Sequence, residues 1–277
     1  MSPGRMSLSG KDFFMALMEC SFFSESIGMC TNAHVIVPQP TLSQIGLTGK
    51  GSPEGCPVLY LLHGLSDDHS IWLRRTNIER YATQFGIAVV MPNCHRSFYC
   101  DMQNGLGYWR YLSEELPSLI NGFFKFSQKR EDTFVAGLSM GGYGAFKLAL
   151  NQPDRFASAA CFSSVIRPWN FDKEASYMSK ELCAIFGDDP DKVANTLCDP
   201  YYMATKQMAA GVKMPEFYVA CGTEDFLYQE NILFKAHLEK TGVPFEFFQE
   251  PGTHEWGFWD RHILKYLNWL QKKQLLH

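Results

Sequence analysis

The sequence has no hydrophobic run long enough to cross a membrane, which takes about 20 consecutive apolar residues. Near its start, residues 13–18 are apolar, but charged residues on both sides leave a run too short for the core of a signal peptide. These absences argue against a membrane partner and against export. We therefore expect a cytoplasmic protein.

A large excess of charge of one sign is also missing. The chain carries 25 lysines and arginines and 29 aspartates and glutamates, which gives a formal net charge of -4 at pH 7. Binding to nucleic acid or to anionic lipid usually depends on a basic surface, which this balance does not favour. We expect a small-molecule partner and no nucleic acid or membrane partner, and the formation of a homo-oligomer stays open.

No two of the nine cysteines form a C-x-x-C pair, so neither a disulfide framework nor a zinc knuckle is predicted. The acidic run Asp188-Asp189-Pro190-Asp191 has no ligand histidines and no EF-hand spacing. A glycine loop for binding phosphate is absent as well. The sequence therefore predicts free thiols, no metal site and no cofactor.

Hydrophobic residues make up 46% and aromatic residues 14% of the 277 residues, which is enough for one well-buried core. Runs rich in apolar and β-branched residues alternate with helical patterns, as is typical of an α/β protein with a doubly wound, mostly parallel sheet. The strands are predicted at 34–37, 58–62, 87–91, 133–137, 157–162, 216–220 and 245–249. The helices are predicted at 71–85, 111–124, 141–151, 229–241 and 258–272.

Two segments interrupt this alternation. Residues 42–57 are rich in Gly, Ser, Pro and Thr and predict a surface loop. Residues 165–214 separate two strands by far more than a usual connection and contain helical patches, so they predict a small helical cap inserted over the sheet. We expect residues 15–277 to form a single domain with this cap, and residues 1–14 to be an N-terminal extension outside it.

The strongest motif is Gly137-Leu138-Ser139-Met140-Gly141, a G-x-S-x-G sequence between a predicted strand and a predicted helix. At such a sharp turn the glycines remove side chains that would clash, and the serine Oγ is exposed as a nucleophile. The helix N-terminus favours the negative charge that develops on the substrate oxygen, with the Met140 N–H as one donor. In this context the motif predicts an α/β-hydrolase fold with Ser139 as the nucleophile.

A second donor to that oxygen is expected from the loop after an earlier strand. The predicted strand at 58–62 runs directly into His63-Gly64-Leu65. We predict that the Leu65 N–H completes the oxyanion hole. For His63, we favour a role in fixing this turn through hydrogen bonds over direct proton transfer.

The general base and its carboxylate are expected after the serine, because the order along the chain in this fold is Ser, acid, His. His254 follows the last predicted strand and is the histidine best placed to take the Ser139 proton. Glu224 and Asp225 follow the strand before it. We favour Asp225 as the residue that orients His254, since its shorter side chain suits a closely held imidazole, and expect Glu224 to be a solvated neighbour or a helix cap.

Several aromatic residues are candidates for the substrate pocket. As a group they would form an apolar acyl site, although for each residue alone packing in the core is slightly favoured. The candidates are Trp109, Trp169, Phe226 and Trp256.

These motifs make the chain resemble the tributyrin esterase branch of the esterase D group, from about residue 15 onward. The resembling segments are SFFSESIGM at 21–29, LLHG at 61–64, VMPN at 90–93, YLSEELP at 111–117, GLSMGG at 137–142, GTEDFL at 222–227 and HEW at 254–256. The resemblance implies a carboxylesterase for short-chain acyl esters, acetyl and butyryl, in an α/β-hydrolase fold. Sugar acetates and feruloyl esters, which relatives also use, stay open as substrates.

Three alternative functions remain. S-formylglutathione hydrolases are relatives, so a thioesterase of that kind is one alternative. It ranks second to the carboxylesterase, because the residues after His254 depart from the usual pattern of S-formylglutathione hydrolases. Acyl transfer would need an acceptor site that excludes water. A noncatalytic binding protein on the same scaffold is less favoured, since the set of Ser139, Asp225 and His254 is complete.

Overall fold

The computed structural model describes residues 13–40, 55–170 and 178–276. Its strands are β1 (Phe13–Ser24), β2 (Met29–Pro40), β3 (Val58–Leu62), β4 (Ala88–Pro92), β5 (Thr133–Leu138), β6 (Ser158–Phe162), β7 (Glu216–Gly222) and β8 (Phe245–Glu250). They form one eight-stranded sheet in the order β1-β2-β4-β3-β5-β6-β7-β8. β1, β2 and β4 pair antiparallel with one another in that order, whereas β3 to β8 run parallel.

Helices cover both faces of the sheet. They are α1 (Ile71–Arg75), α2 (Ile78–Phe85), α3 (Tyr108–Arg110), α4 (Leu116–Phe124), α5 (Met140–Asn151), α6 (Ser179–Phe186), α7 (Pro200–Ala209), α8 (Tyr228–Thr241) and α9 (Trp256–Lys272). α1, α2 and α9 contribute to the core on one face, and α4 to α8 contribute to the core on the other. In the part of the chain that the structure describes, no helix has the length and apolar character needed to span a membrane.

The central strand β3 shows why the sheet is buried on both sides. All five of its residues are buried. Val58, Tyr60 and Leu62 lie in the core of one face, and Leu59 and Leu61 lie in the core of the other, because successive side chains of a strand point to opposite faces. A strand covered on both faces is therefore apolar at nearly every position. The predicted doubly wound α/β fold is confirmed.

The prediction of one continuous helix at 71–85 is wrong, because the segment forms two helices, α1 and α2. Thr76 ends α1 in an extended conformation, with φ -135° and ψ 174°. Its hydroxyl donates to the Trp72 carbonyl oxygen at 2.6 Å and accepts from the Ile78 N–H at 3.2 Å. The threonine side chain thus replaces helical backbone bonds at this point, as threonine does at helix ends.

The helix predicted at 111–124 begins earlier and is irregular. A π-helical turn, Tyr111–Glu115, joins α3 to α4. Pro117 stands near the start of α4 and has no N–H for the carbonyl of Ser113. That carbonyl accepts hydrogen bonds instead from Arg155 and from Gln152. The proline and these long-range donors account for the departure from a regular helix.

β1 has no counterpart among the predicted strands, and the strand predicted at 34–37 is only the middle of β2. β1 lies at the edge of the sheet, where Leu17 and Met18 are exposed apolar residues. Its sequence therefore lacks the alternation of apolar and polar residues that indicates a half-buried strand. β1 begins at Phe13, so the sheet starts two residues before residue 15, where the domain is predicted to begin.

The insertion predicted at 165–214 lies between β6 and β7, and residues 171–177 of it lie outside the described residues. α7 packs against α5 and α8 and so extends the helical layer on the sheet. α6 is tied to the loop after β4, since the N–H groups of Gln103 and Asn104 donate to carbonyl oxygens of α6 at 3.0 and 2.9 Å. A cap stays a prediction for the part around α6. Most of the loop predicted at 42–57 lies outside the described residues.

Candidate active site

Ser139 stands at the turn between β5 and α5 with a strained backbone. Its φ of 55° and ψ of -117° are unusual for any residue other than glycine. The turn is closely packed: a Cβ added at Gly141 would lie 2.4 Å from the Leu62 carbonyl oxygen, and one added at Gly137 would lie 2.3 Å from the Gly141 oxygen. The glycines of the motif are therefore required by space, and the serine side chain is presented at the carboxyl edge of the sheet.

His254 and Asp225 form a direct hydrogen-bonded pair. The His254 Nδ1 lies 2.9 Å from Asp225 Oδ2 and 3.1 Å from Oδ1. Asp225 follows β7 and His254 follows β8, so both residues lie at the same edge of the parallel sheet as Ser139. With Nδ1 donating to the carboxylate, the other ring nitrogen of His254 is left as a proton acceptor.

The Asp225 carboxylate is buried but remains ionised. Burial raises its pKa, but hydrogen bonds from His254, from the Leu227 N–H at 2.9 Å and from Ser163 outweigh this effect and hold the pKa below its usual range. A buried carboxylate with several donors keeps a fixed orientation. It is therefore suited to fix the imidazole and to stabilise its protonated form.

Ser163 is a residue of the site that the sequence motifs do not identify. It follows β6 with a positive φ of 45°, and its Oγ accepts from the Trp259 indole N–H at 3.1 Å. The Trp259 ring in turn lies edge-on to the His254 ring, with the ring centroids 4.9 Å apart. Ser163 thus supports both the acid and the base. The available signal is its place directly after the strand that neighbours β5.

The two expected oxyanion donors lie at the start of a helix and in a loop after a strand. Met140 is the first residue of α5, and Leu65 follows β3, the strand beside β5. Within the described part of the chain, neither backbone N–H donates a hydrogen bond to another group. Both amides are therefore free to bind the oxygen of a substrate.

His63 is held as a neutral histidine in the loop that carries Leu65. Its Nδ1 lies 2.7 Å from the Gly64 carbonyl oxygen, and its Nε2 accepts from the Cys94 N–H at 3.0 Å. Burial lowers the pKa of His63 to about 4. Because both ring nitrogens are occupied by backbone groups, the structure supports the role in fixing the turn over a role in proton transfer.

Glu224 is exposed and accepts a hydrogen bond from the Gly252 N–H at 2.6 Å. The Glu224 N–H donates to the Gly252 carbonyl oxygen at 3.1 Å. Glu224 therefore joins the loop after β7 to the loop after β8, instead of capping a helix. It does not contact the His254 ring through any hydrogen bond in the described part of the chain.

The four aromatic candidates have different surroundings. Phe226 is 75% exposed, and its ring centroid lies 4.6 Å from that of His254. Trp256 packs edge-on against Trp72 and Trp259. Of these residues, Phe226 is the one that offers apolar surface directly beside the histidine.

The other two candidates are tied into the core. Trp169 is buried against Phe186 of α6, with the ring centroids 5.5 Å apart. Trp109 is half-buried, and the buried ammonium group of Lys147 lies 4.6 Å from its ring centroid. These contacts support a packing role for both rings.

Comparison with known proteins gives consistent matches. A family model described as "Putative esterase" matches residues 48–270. An acetyl esterase of Caldicellulosiruptor saccharolyticus is 30% identical over 270 residues, which cover 93% of this chain and 99% of the relative.

Two solved structures from Staphylococcus aureus resemble this chain over nearly its whole length. Fluorophosphonate-binding serine hydrolase F, with substrate bound, has a TM-score of 0.81 at 37% identity, with 93% of this chain and 98% of that one covered. An S-formylglutathione hydrolase, as the apoenzyme, has a TM-score of 0.79 at 37% identity, with 92% of this chain and 98% of that one covered.

Proposed function

The chain belongs to the esterase family, in the group that includes S-formylglutathione hydrolases, and from that premise we propose that it hydrolyses short-chain acyl esters. It is a serine ester hydrolase. The proposed substrates carry acetyl or butyryl groups, and the acyl group is transferred first to Ser139 and then to water. We also propose that the protein belongs to the tributyrin esterase branch of this group. It is proposed to act in the cytoplasm and to need no cofactor.

In the proposed reaction the Ser139 hydroxyl attacks the ester carbonyl carbon while His254 takes its proton. The negative charge that forms on the carbonyl oxygen is stabilised by the N–H groups of Leu65 and Met140. Collapse of this intermediate breaks the bond to the alcohol, which leaves with the proton from His254. A water molecule then attacks the acyl group on Ser139 while His254 takes a proton from the water. The acyl group is released as the carboxylic acid, and the proton returns from His254 to Ser139.

The observation that carries this proposal is the strained Ser139 backbone at the sheet edge where His254 is hydrogen-bonded to Asp225. A non-glycine residue in this conformation is costly and is retained mainly where function needs it. The acetyl esterase relative and the exposed Phe226 ring beside the base support a small acyl group.

Ser139→Ala is expected to lower turnover of p-nitrophenyl butyrate by about 10⁴-fold or more, because the acylation step is lost. Circular dichroism should show an unchanged fold. Ser118→Ala, at an exposed serine outside the site, is the matched control and should retain full activity. A fluorophosphonate should label Ser139 and fail to label the Ser139→Ala variant. Wild-type turnover in that variant, or an adduct on another residue, would show that the nucleophile is misassigned.

A thioesterase is the second candidate, because an S-formylglutathione hydrolase is 37% identical over 92% of this chain. Both activities use the same serine, base and oxyanion donors, so kcat/KM values for different substrates must separate them. A panel of p-nitrophenyl acetate, butyrate and octanoate beside S-formylglutathione provides the comparison. The ester proposal expects the highest kcat/KM for acetate or butyrate, and a strong preference for S-formylglutathione would replace it with the thioesterase.

A further inference from the structure

Three residues from separate parts of the chain meet beside the β1–β2 hairpin. Glu19 lies on β1, His34 lies directly opposite it on β2, and His69 precedes α1. One carboxylate oxygen and one ring nitrogen from each histidine all lie within 4.8 Å of one another. The centroids of the two imidazole rings are 4.7 Å apart. None of these residues belongs to the candidate active site.

The two histidines also have unused polar atoms. The Nδ1 atoms of His34 and His69 are both buried, and neither has a hydrogen-bond partner in the described part of the chain. Buried polar atoms are nearly always paired, so two such atoms on neighbouring rings need an explanation. Glu19, in contrast, is exposed and leaves the cluster open to solvent.

We propose that Glu19, His34 and His69 form a binding site for a divalent transition-metal ion, for which Zn²⁺ is the best match. Two imidazoles and one carboxylate are a usual ligand set for zinc, with a water molecule as the fourth ligand. Tetrahedral ligands about 2.1 Å from zinc lie roughly 3.4 Å from one another. The ligand atoms, which lie within 4.8 Å of one another, would have to move closer together by up to about 1.4 Å to reach this geometry. Hard cations such as Ca²⁺ and Mg²⁺ bind oxygen ligands and are not expected here.

Metal binding at this site would connect the outer hairpin to the oxyanion loop. His69 follows Leu65 by four residues, in the same loop after β3, and Glu19 and His34 are fixed by the strand pairing. An ion shared between them would therefore restrain the loop that carries the Leu65 N–H. The ligands are 15 and 35 residues apart along the chain, which is why spacing motifs do not reveal the site.

The direct experiment is calorimetric titration of the full chain with Zn²⁺ after treatment with a chelator. The wild type should bind one ion more than either His34→Gln or His69→Gln. Glu19→Gln should weaken this binding by about tenfold or more, since one ligand charge is lost. His237→Gln is the matched control, because His237 bonds to Tyr201 and Thr205 away from the cluster and should leave binding unchanged. Equal Zn²⁺ stoichiometry and affinity in all five proteins would overturn the proposal.

A second measurement uses only the wild type and so does not depend on variants that fold. Diethyl pyrocarbonate modifies free imidazoles, and mass spectrometry locates the adducts. Zn²⁺ should protect His34 and His69 and leave His237 reactive, whereas Mg²⁺ should protect none of them. Modification of both cluster histidines at the same rate with and without Zn²⁺ would overturn the site. Ester turnover is not used in either experiment, so a failure of the metal site is distinguishable from a failure of the proposed function.

Discussion

Glu224 and Asp225 are neighbours in the chain, but their side chains make different contacts. The Asp225 carboxylate is buried against the His254 Nδ1, whereas Glu224 is exposed and bonded to the Gly252 N–H. Only a carboxylate in contact with the imidazole fixes its tautomer and stabilises its protonated form. The contacts of the two side chains therefore support Asp225 as the acid of the proposed triad.

Asp225→Asn is expected to lower kcat for p-nitrophenyl butyrate by a factor on the order of 10⁴, because an amide disfavours the productive tautomer of His254. Glu224→Gln is the matched control and should cost far less, since the amide oxygen still accepts from Gly252. The opposite pattern, with a severe loss only in Glu224→Gln, would transfer the role to Glu224.

Ser163 shows how much the site depends on residues around the triad. It hydrogen-bonds to Asp225 and accepts from Trp259, which packs against His254. Residues that contact a catalytic side chain in this way hold it in position by fixing its rotamer. The Ser163 side chain therefore joins the acid and the base through contacts that no motif of the sequence contains.

At the scale of elements, the segment between β6 and β7 begins directly beside the nucleophile. The Val165 N–H donates to the Ser139 carbonyl oxygen at 3.3 Å, and the segment continues to Trp169, which packs against Phe186 of α6. α6 is held in turn by the loop after β4. From these contacts we propose that the segment limits the length of the acyl chain.

Turnover is therefore expected to fall steadily from p-nitrophenyl butyrate to octanoate and palmitate. On this proposal a short acyl chain binds beside Phe226, whereas a long one would have to displace packed side chains of the segment. The measurement is kcat/KM for each ester, with Ser139→Ala as the blank for hydrolysis without the enzyme. Equal values for butyrate and palmitate would show that the segment sets no limit.

At the scale of the whole molecule, His63 makes the free energy of unfolding depend on pH. Its pKa is about 4 in the folded protein, and a histidine in an unfolded chain has a pKa of about 6.5. The unfolded chain thus binds the proton first as the pH falls. The stability contributed by the neutral His63 is fully present above pH 6.5 and is lost between about pH 6.5 and pH 4.

His63→Gln tests this dependence, because glutamine does not titrate. The variant should be less stable than the wild type at pH 7, since the bonds to Gly64 and Cys94 are altered. The difference between the two free energies of unfolding should narrow by about 2 kcal/mol between pH 7 and pH 4.5. Urea unfolding of both proteins at several pH values gives these energies. If the difference stayed constant over this range, the pKa of His63 would be the same in the folded and unfolded states, and the prediction would be wrong.

Some features of this protein follow from short stretches of sequence. The apolar run Val58–Leu62 specifies a strand buried on both faces, and the residues around Ser139 specify a turn that only glycines at 137 and 141 can form. The order of strands along the chain predicts the proposed acid and base. These features depend on neighbouring residues and on the period of the pattern, which a sequence contains directly.

Other features exist only because distant segments meet in the folded protein. The edge strand β1 is fixed by its pairing with β2, and the end of α1 by a bond from the Thr76 side chain. The contact of Ser163 with Trp259 and the cluster of Glu19, His34 and His69 join residues from different strands and loops. Their positions depend on packing and hydrogen bonds between residues far apart in the chain, and no local pattern specifies such contacts.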